Sequence, residues 1–66
     1  MKELLPHQQR VVEEKKELDD KLFRLRLFLA SEKIVSVPQV ELERLHRQLD
    51  AMQEYSNILS ERIDAF

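Results

Sequence analysis

Arg10, Lys21, Arg24, Arg47 and Arg62 are the side chains of this sequence best suited to hold another molecule. An arginine presents a planar fork of donors that fits a phosphate, and a lysine presents a point positive charge. The five are scattered along the chain. Each alone reads first as a surface ion-pair partner worth little energy. An oligomer changes that reading, because symmetry gathers copies of one residue around an axis or an interface.

Residues able to catalyse are harder to assemble. Ser31, Ser36, Ser56 and Ser60 have no histidine close by in sequence to act as a base. His46 stands between Arg44 and Arg47 on the outer side of its helix, where a solvated role is the plainer reading. Glu13, Glu14, Glu17 and Asp20 form one acidic cluster, and Glu61 with Asp64 forms another. Paired acidic motifs hold magnesium in all-α nucleotide pyrophosphatases. Here Lys15, Lys16 and Lys21 interleave with the first cluster and offer pairs one turn apart. The two motifs also lie too far apart for that family. We therefore expect no enzyme, no metal site and no cofactor.

The totals narrow the field further. The chain has 66 residues, 36% of them charged, with a net charge of −2. Such a balance gives no bulk attraction for DNA. With no glycine, a phosphate-cradling loop of the P-loop or dinucleotide type cannot be built. With no cysteine, disulfides and thiolate zinc sites are absent, and His7 and His46 lack metal-ligand spacing. No apolar run approaches the roughly 20 residues of a membrane span. The segment from Met1 to Pro6 is too short for a signal peptide. These features predict a cytoplasmic protein with no membrane partner. A chain this short seldom builds a core worth more than about 3–5 kcal/mol unaided, which leaves self-association as the source of stability.

The elements that must position the basic residues are two helices. Pro6 suits a first helical position, where its missing N–H has no partner to lose. Val11, Leu18, Leu22, Leu25 and Leu29 then form a narrow apolar seam. Glu13, Glu14 and Glu17 precede Arg24 and Arg26, an order that complements the helix dipole. The seam fades after Ala30. Ser36, Val37, Pro38 and Gln39 read as a capping box opening a second helix. That helix carries Leu42, Leu45, Leu49, Met52, Ser56, Leu59, Ile63 and Phe66 at alternating steps of three and four. Ser56 is the one polar member, and its hydroxyl is expected to bond the carbonyl one turn back. Ile34, Val35 and Val37 either plug the end of the hairpin core or meet a neighbouring subunit.

The pattern predicts an all-α chain in a single domain: a short N-terminal arm, a helix over about residues 7–30, a turn over about 31–37, and a helix over about 38–66. The seams pair as an antiparallel hairpin. Val12, Phe23, Phe28, Val40, Tyr55 and Ile58 are left outside them, a surface suited to packing against further copies.

Two strings of residues resemble a known family. The first runs from Leu5 through Pro6, His7, Gln8, Gln9, Arg10, Val11 and Val12 to Glu14 and Lys15, then through Glu17, Leu18, Lys21, Leu22, Leu25 and Phe28. The second takes in Arg44, Leu45, Gln48, Leu49, Met52, Tyr55, Ser56, Leu59, Glu61, Arg62, Ile63 and Phe66. Together they are similar to the small bacteriophage proteins with the hairpin domain of anti-CBASS type 2 and anti-Thoeris type 1 sponges. The resemblance covers nearly the whole chain. It implies helical hairpins that assemble into compact homohexamers. It also implies binding of cyclic di- or trinucleotides, or cyclic ADP-ribose isomers, held intact between subunits in the host cytosol. By the same resemblance, Lys21 matches a lysine of the dinucleotide pocket, and Arg62 fits an arginine of a separate trinucleotide site. The family's aromatic before the first helix has no counterpart here; Pro6 and His7 stand there, and His7 takes the stacking position. Arg10, near the arm, is added on its position alone. The alternative is a structural adaptor whose heptads bind a partner helix.

Overall fold

The computed structural model describes residues 3–66; Met1 and Lys2 of the expected arm lie outside them. Helix α1 spans Pro6–Leu29 and helix α2 spans Gln39–Asp64, joined by a 3-10 turn at Glu32–Ser36. The two helices pack antiparallel as a hairpin measuring 48 × 16 × 14 Å. The chain is therefore a single layer, two helices wide.

Local chemistry sets the ends. Pro6 occupies the first position of α1, and the Gln8 side chain returns to accept the Leu5 N–H at 2.9 Å. This is half of a capping box, since leucine has no side-chain acceptor for the other half. The expected dipole complement reduces to Arg26 in the last turn. Glu13, Glu14 and Glu17 lie beyond the first turn of α1, where the field of the helix end has faded. Ser31 caps the 3-10 turn. Its hydroxyl donates to the Phe28 carbonyl at 2.6 Å and accepts from the Lys33 N–H. The reversal uses no residue with positive φ, which suits a chain without glycine.

The capping box expected at Ser36 and Gln39 does not form. The Ser36 hydroxyl turns back to the Lys33 carbonyl at 3.0 Å, inside the 3-10 turn. Pro38 is the residue that caps α2, and its carbonyl accepts from Leu42 N–H at 3.0 Å. Gln39 is thus the first residue of the helix rather than the third, too early to reach back over a cap. Ile34 and Val37 are half-buried at the hairpin end, as residues that plug the core would be, whereas Val35 is 88% exposed and takes no part in that plug.

The core lies along the seams. Val11, Leu18 and Leu59 form its centre, with Met52, Ile63 and Phe66 packed against them, and Leu22 is buried further along α1. Every member of the α2 seam is buried or half-buried. Each helix thus turns one stripe inward and leaves the remainder in water.

Candidate functional site

A polar contact in the middle of the seam fixes how the helices face each other. Lys15 Nζ donates to Asp19 Oδ2 at 2.6 Å and to Ser56 Oγ at 3.1 Å, and Ser56 Oγ donates to Asp19 Oδ1 at 2.5 Å. Ser56 is buried, yet its hydroxyl serves the opposite helix rather than its own. The expected bond one turn back is therefore replaced, because Lys15 and Asp19 bring a charged donor and a charged acceptor within reach. The Lys15 ammonium, and next the Ser56 hydroxyl, hold the Asp19 carboxyl below its ordinary value against a smaller upward push from burial. Nearby, Arg26 donates to the Gln53 side chain.

These contacts define two broad faces. If the seam positions are lettered a and d, Asp19, Arg26 and Gln53 are all e positions, so the e positions of both helices share one face. The g positions, with the c positions beside them, make the other. That second face carries Arg10, Lys21, Arg24, Arg44 and Arg62 against Glu14, Glu17 and Glu41. The first carries Lys16 and Arg26 against Asp19, Glu43, Asp50 and Asp64. A chain of net negative charge thus folds into a layer with one basic side.

His7, Arg10, Lys21 and Arg62 all fall on the basic face, and all are exposed. Lys15 and Asp19 both reach Ser56, so Ser56 lies level with about residue 17 of α1. Counting outward at 1.5 Å per residue, Lys21 sits near the middle of the layer, roughly 4 Å along the axis from Tyr55. Arg62 lies about 15 Å from Lys21 along the axis, level with the turn that holds Arg10, with His7 beyond it. The four residues therefore form two groups on one face, Lys21 alone and Arg10 with Arg62 and His7. Among the described residues the ion pair present is Lys15–Asp19, which leaves these cations free for a ligand. The described residues enclose no cavity. One hairpin offers a basic floor without walls.

The acidic clusters do not converge. Glu13, Asp20 and Glu61 take positions on the sides of the helices facing away from the seam. Among the described residues no three His, Asp or Glu side chains gather where they could hold a metal ion.

The family model Sequestin matches residues 5–65. The chain belongs to the Sequestin family. Membership implies, in general terms, the binding of a small molecule. The match takes in both helices of the hairpin, with every residue of the seam contact and all four candidate ligand residues. No curated protein and no solved structure shows a significant match to this Sequestin chain. Among its described residues no helix is long and apolar enough to cross a membrane.

The Lys15–Asp19–Ser56 contact is not among the sequence expectations; its one trace is that Lys15 lies four residues after Val11 and three before Leu18, on the seam count.

Proposed function

We propose that this Sequestin chain is a bacteriophage anti-defence sponge acting in the host cytosol. It sequesters a cyclic dinucleotide, a cyclic trinucleotide or a cyclic ADP-ribose isomer between subunits without cleaving it. The carrying observation is that a small-molecule-binding family member presents His7, Arg10, Lys21 and Arg62 together on one open basic face. Phosphate esters are the natural ligands of free arginines and lysines held on a rigid scaffold. The face has no walls, so the site is completed by another copy of the hairpin, and the assembly is a homo-oligomer of hexameric type. Its fit to the anti-CBASS type 2 and anti-Thoeris type 1 sponges rests on the residue strings that the three share. Nothing in the reading requires a nucleophile or a metal ion.

Isothermal titration with a panel of cyclic di- and trinucleotides and cyclic ADP-ribose isomers tests this directly. The expected outcome is submicromolar binding at fewer than one ligand per chain, with the ligand recovered intact from the heat-denatured complex. Lys21→Ala and Arg62→Ala are each expected to weaken their own ligand class by about 10- to 100-fold, the value of a charged hydrogen bond. Conversion of the ligand would point to an enzyme. Silence across the panel would remove the sponge reading and leave the adaptor one.

A further inference from the structure

We propose that Tyr55 is the platform on which the base of the sequestered ligand stacks. The inference rests on the sponge reading and adds to it a residue and a chemical class, a phosphate ester that carries a planar heteroaromatic base. Tyr55 lies near the middle of the basic face, with Lys21 about one turn away on α1 and Arg62 two turns further along α2 in the other direction. Its side chain is 43% exposed, so half of a ring sits in water on the side of the molecule where the unpaired cations are. Ala51, one turn before it on the same side of α2, leaves the space above the ring open.

The combination is what a nucleotide needs. Base–aromatic stacking holds the flat part of the ligand, and Lys21, about one turn away, lies within reach of its phosphate. Lys21 is displaced by roughly 4 Å along the axis from Tyr55, a spacing within the span of one nucleotide, whereas Arg62 lies about 10 Å away on the other side and serves a second ligand position. The opposite face offers no such match. Its Phe23 lies near Asp19 and Asp50 on a side where carboxylates outnumber cations, whereas on the Tyr55 side the cations outnumber Glu14, Glu17 and Glu41. Stacking also suits a layer without walls, because a ring gives a ligand contact area without enclosing it.

The chain has one tyrosine and no tryptophan, so tyrosine fluorescence reports Tyr55 alone. Cyclic di-AMP and cyclic ADP-ribose are titrated into the wild-type oligomer while heat and emission are followed, with free tyrosine amide correcting for absorption by adenine. Pyrophosphate serves as the charged probe without a base. The expected result is quenching that tracks the heat of binding for an adenine-bearing probe and is absent with pyrophosphate. Tyr55→Leu is expected to raise Kd roughly 5- to 100-fold at unchanged helicity and mass, and Tyr55→Phe to restore binding to within about threefold. Binding heat with unchanged emission, or wild-type affinity in Tyr55→Leu, would overturn the role of Tyr55 and leave the sponge standing. No binding of either probe, with the wider panel silent as well, would overturn both.

Discussion

The Lys15–Asp19–Ser56 contact is the sharpest feature at the scale of the residue, because it places charge on a seam otherwise made of apolar side chains. A polar residue at such a position sets alignment at some cost in stability. Here the three groups satisfy one another: no buried side-chain polar atom among the described residues lacks a partner. The Asp19 carboxyl is held below its ordinary value, so the folded state favours its charged form. The resulting stabilisation is present above the unfolded value of about 3.9 and is lost as pH falls through the lower folded value. Thermal melts between about pH 6 and pH 2 should therefore show a steeper acid loss in the wild type than in Asp19→Asn. The side chain is partly exposed, so the difference should be small and should shrink further in about 1 M salt. Equal slopes would mean that the contact contributes nothing. Little of this contact was legible in the sequence. Ser56 stood out as polar in an apolar row, but a charged residue at Lys15 hid the continuation of the first seam. The serine's own helix is therefore where the sequence places its partner.

The helices themselves were legible because heptad spacing is a strong signal and proline marks a boundary in both places where it occurs. Leu42 through Phe66 all turn inward as their spacing requires. The turn was less legible. A 3-10 segment satisfies its backbone over three residues, leaves no periodic trace and can absorb a serine that looks like a cap. The basic face was hidden for a different reason. Its members share a letter of the repeat and not a stretch of sequence, so they emerge only once the two helices are aligned. The core they frame is thin. Leu59 is the fully buried side chain, at 0% exposure. Leu59→Ala should cost about 2–5 kcal/mol, comparable to the whole stability of a chain this short, and abolish the cooperative loss of helical circular dichroism at 25 °C. Leu27→Ala, at an exposed outward position, should shift the melt by no more than about 0.5 kcal/mol in the isolated hairpin. A cooperative melt surviving in Leu59→Ala would show that the core lies elsewhere.

The whole molecule is larger than its mass warrants. Its radius of gyration is 15.2 Å, against about 11 Å for a compact domain of this length. Its accessible surface is 5447 Å², against roughly 4,500 Å² for a compact monomer of 8.0 kDa. The excess of roughly 1,000 Å² is close to the 800 Å² or so that each partner buries in a standard protein interface. Phe23, Leu27, Val35, Val40 and Ile58 contribute apolar area to that excess. Stability drawn from association depends on concentration. The midpoint of thermal unfolding should rise by several degrees over a hundredfold increase in protein concentration, and sedimentation should give a multiple of 8.0 kDa. A concentration-independent midpoint with monomer mass would remove the oligomer, and with it the walls that the ligand site needs.

Separating the seam from the basic face has a consequence for how such a protein diversifies. The side chains of the core and those of the basic face proposed to hold the ligand occupy different letters of one repeat, so substitutions at one set leave the other undisturbed. If the basic face holds the ligand as proposed, a lineage facing changing ligands can redraw that face step by step while the scaffold stays fixed. Two helices and a turn are then enough to keep pace.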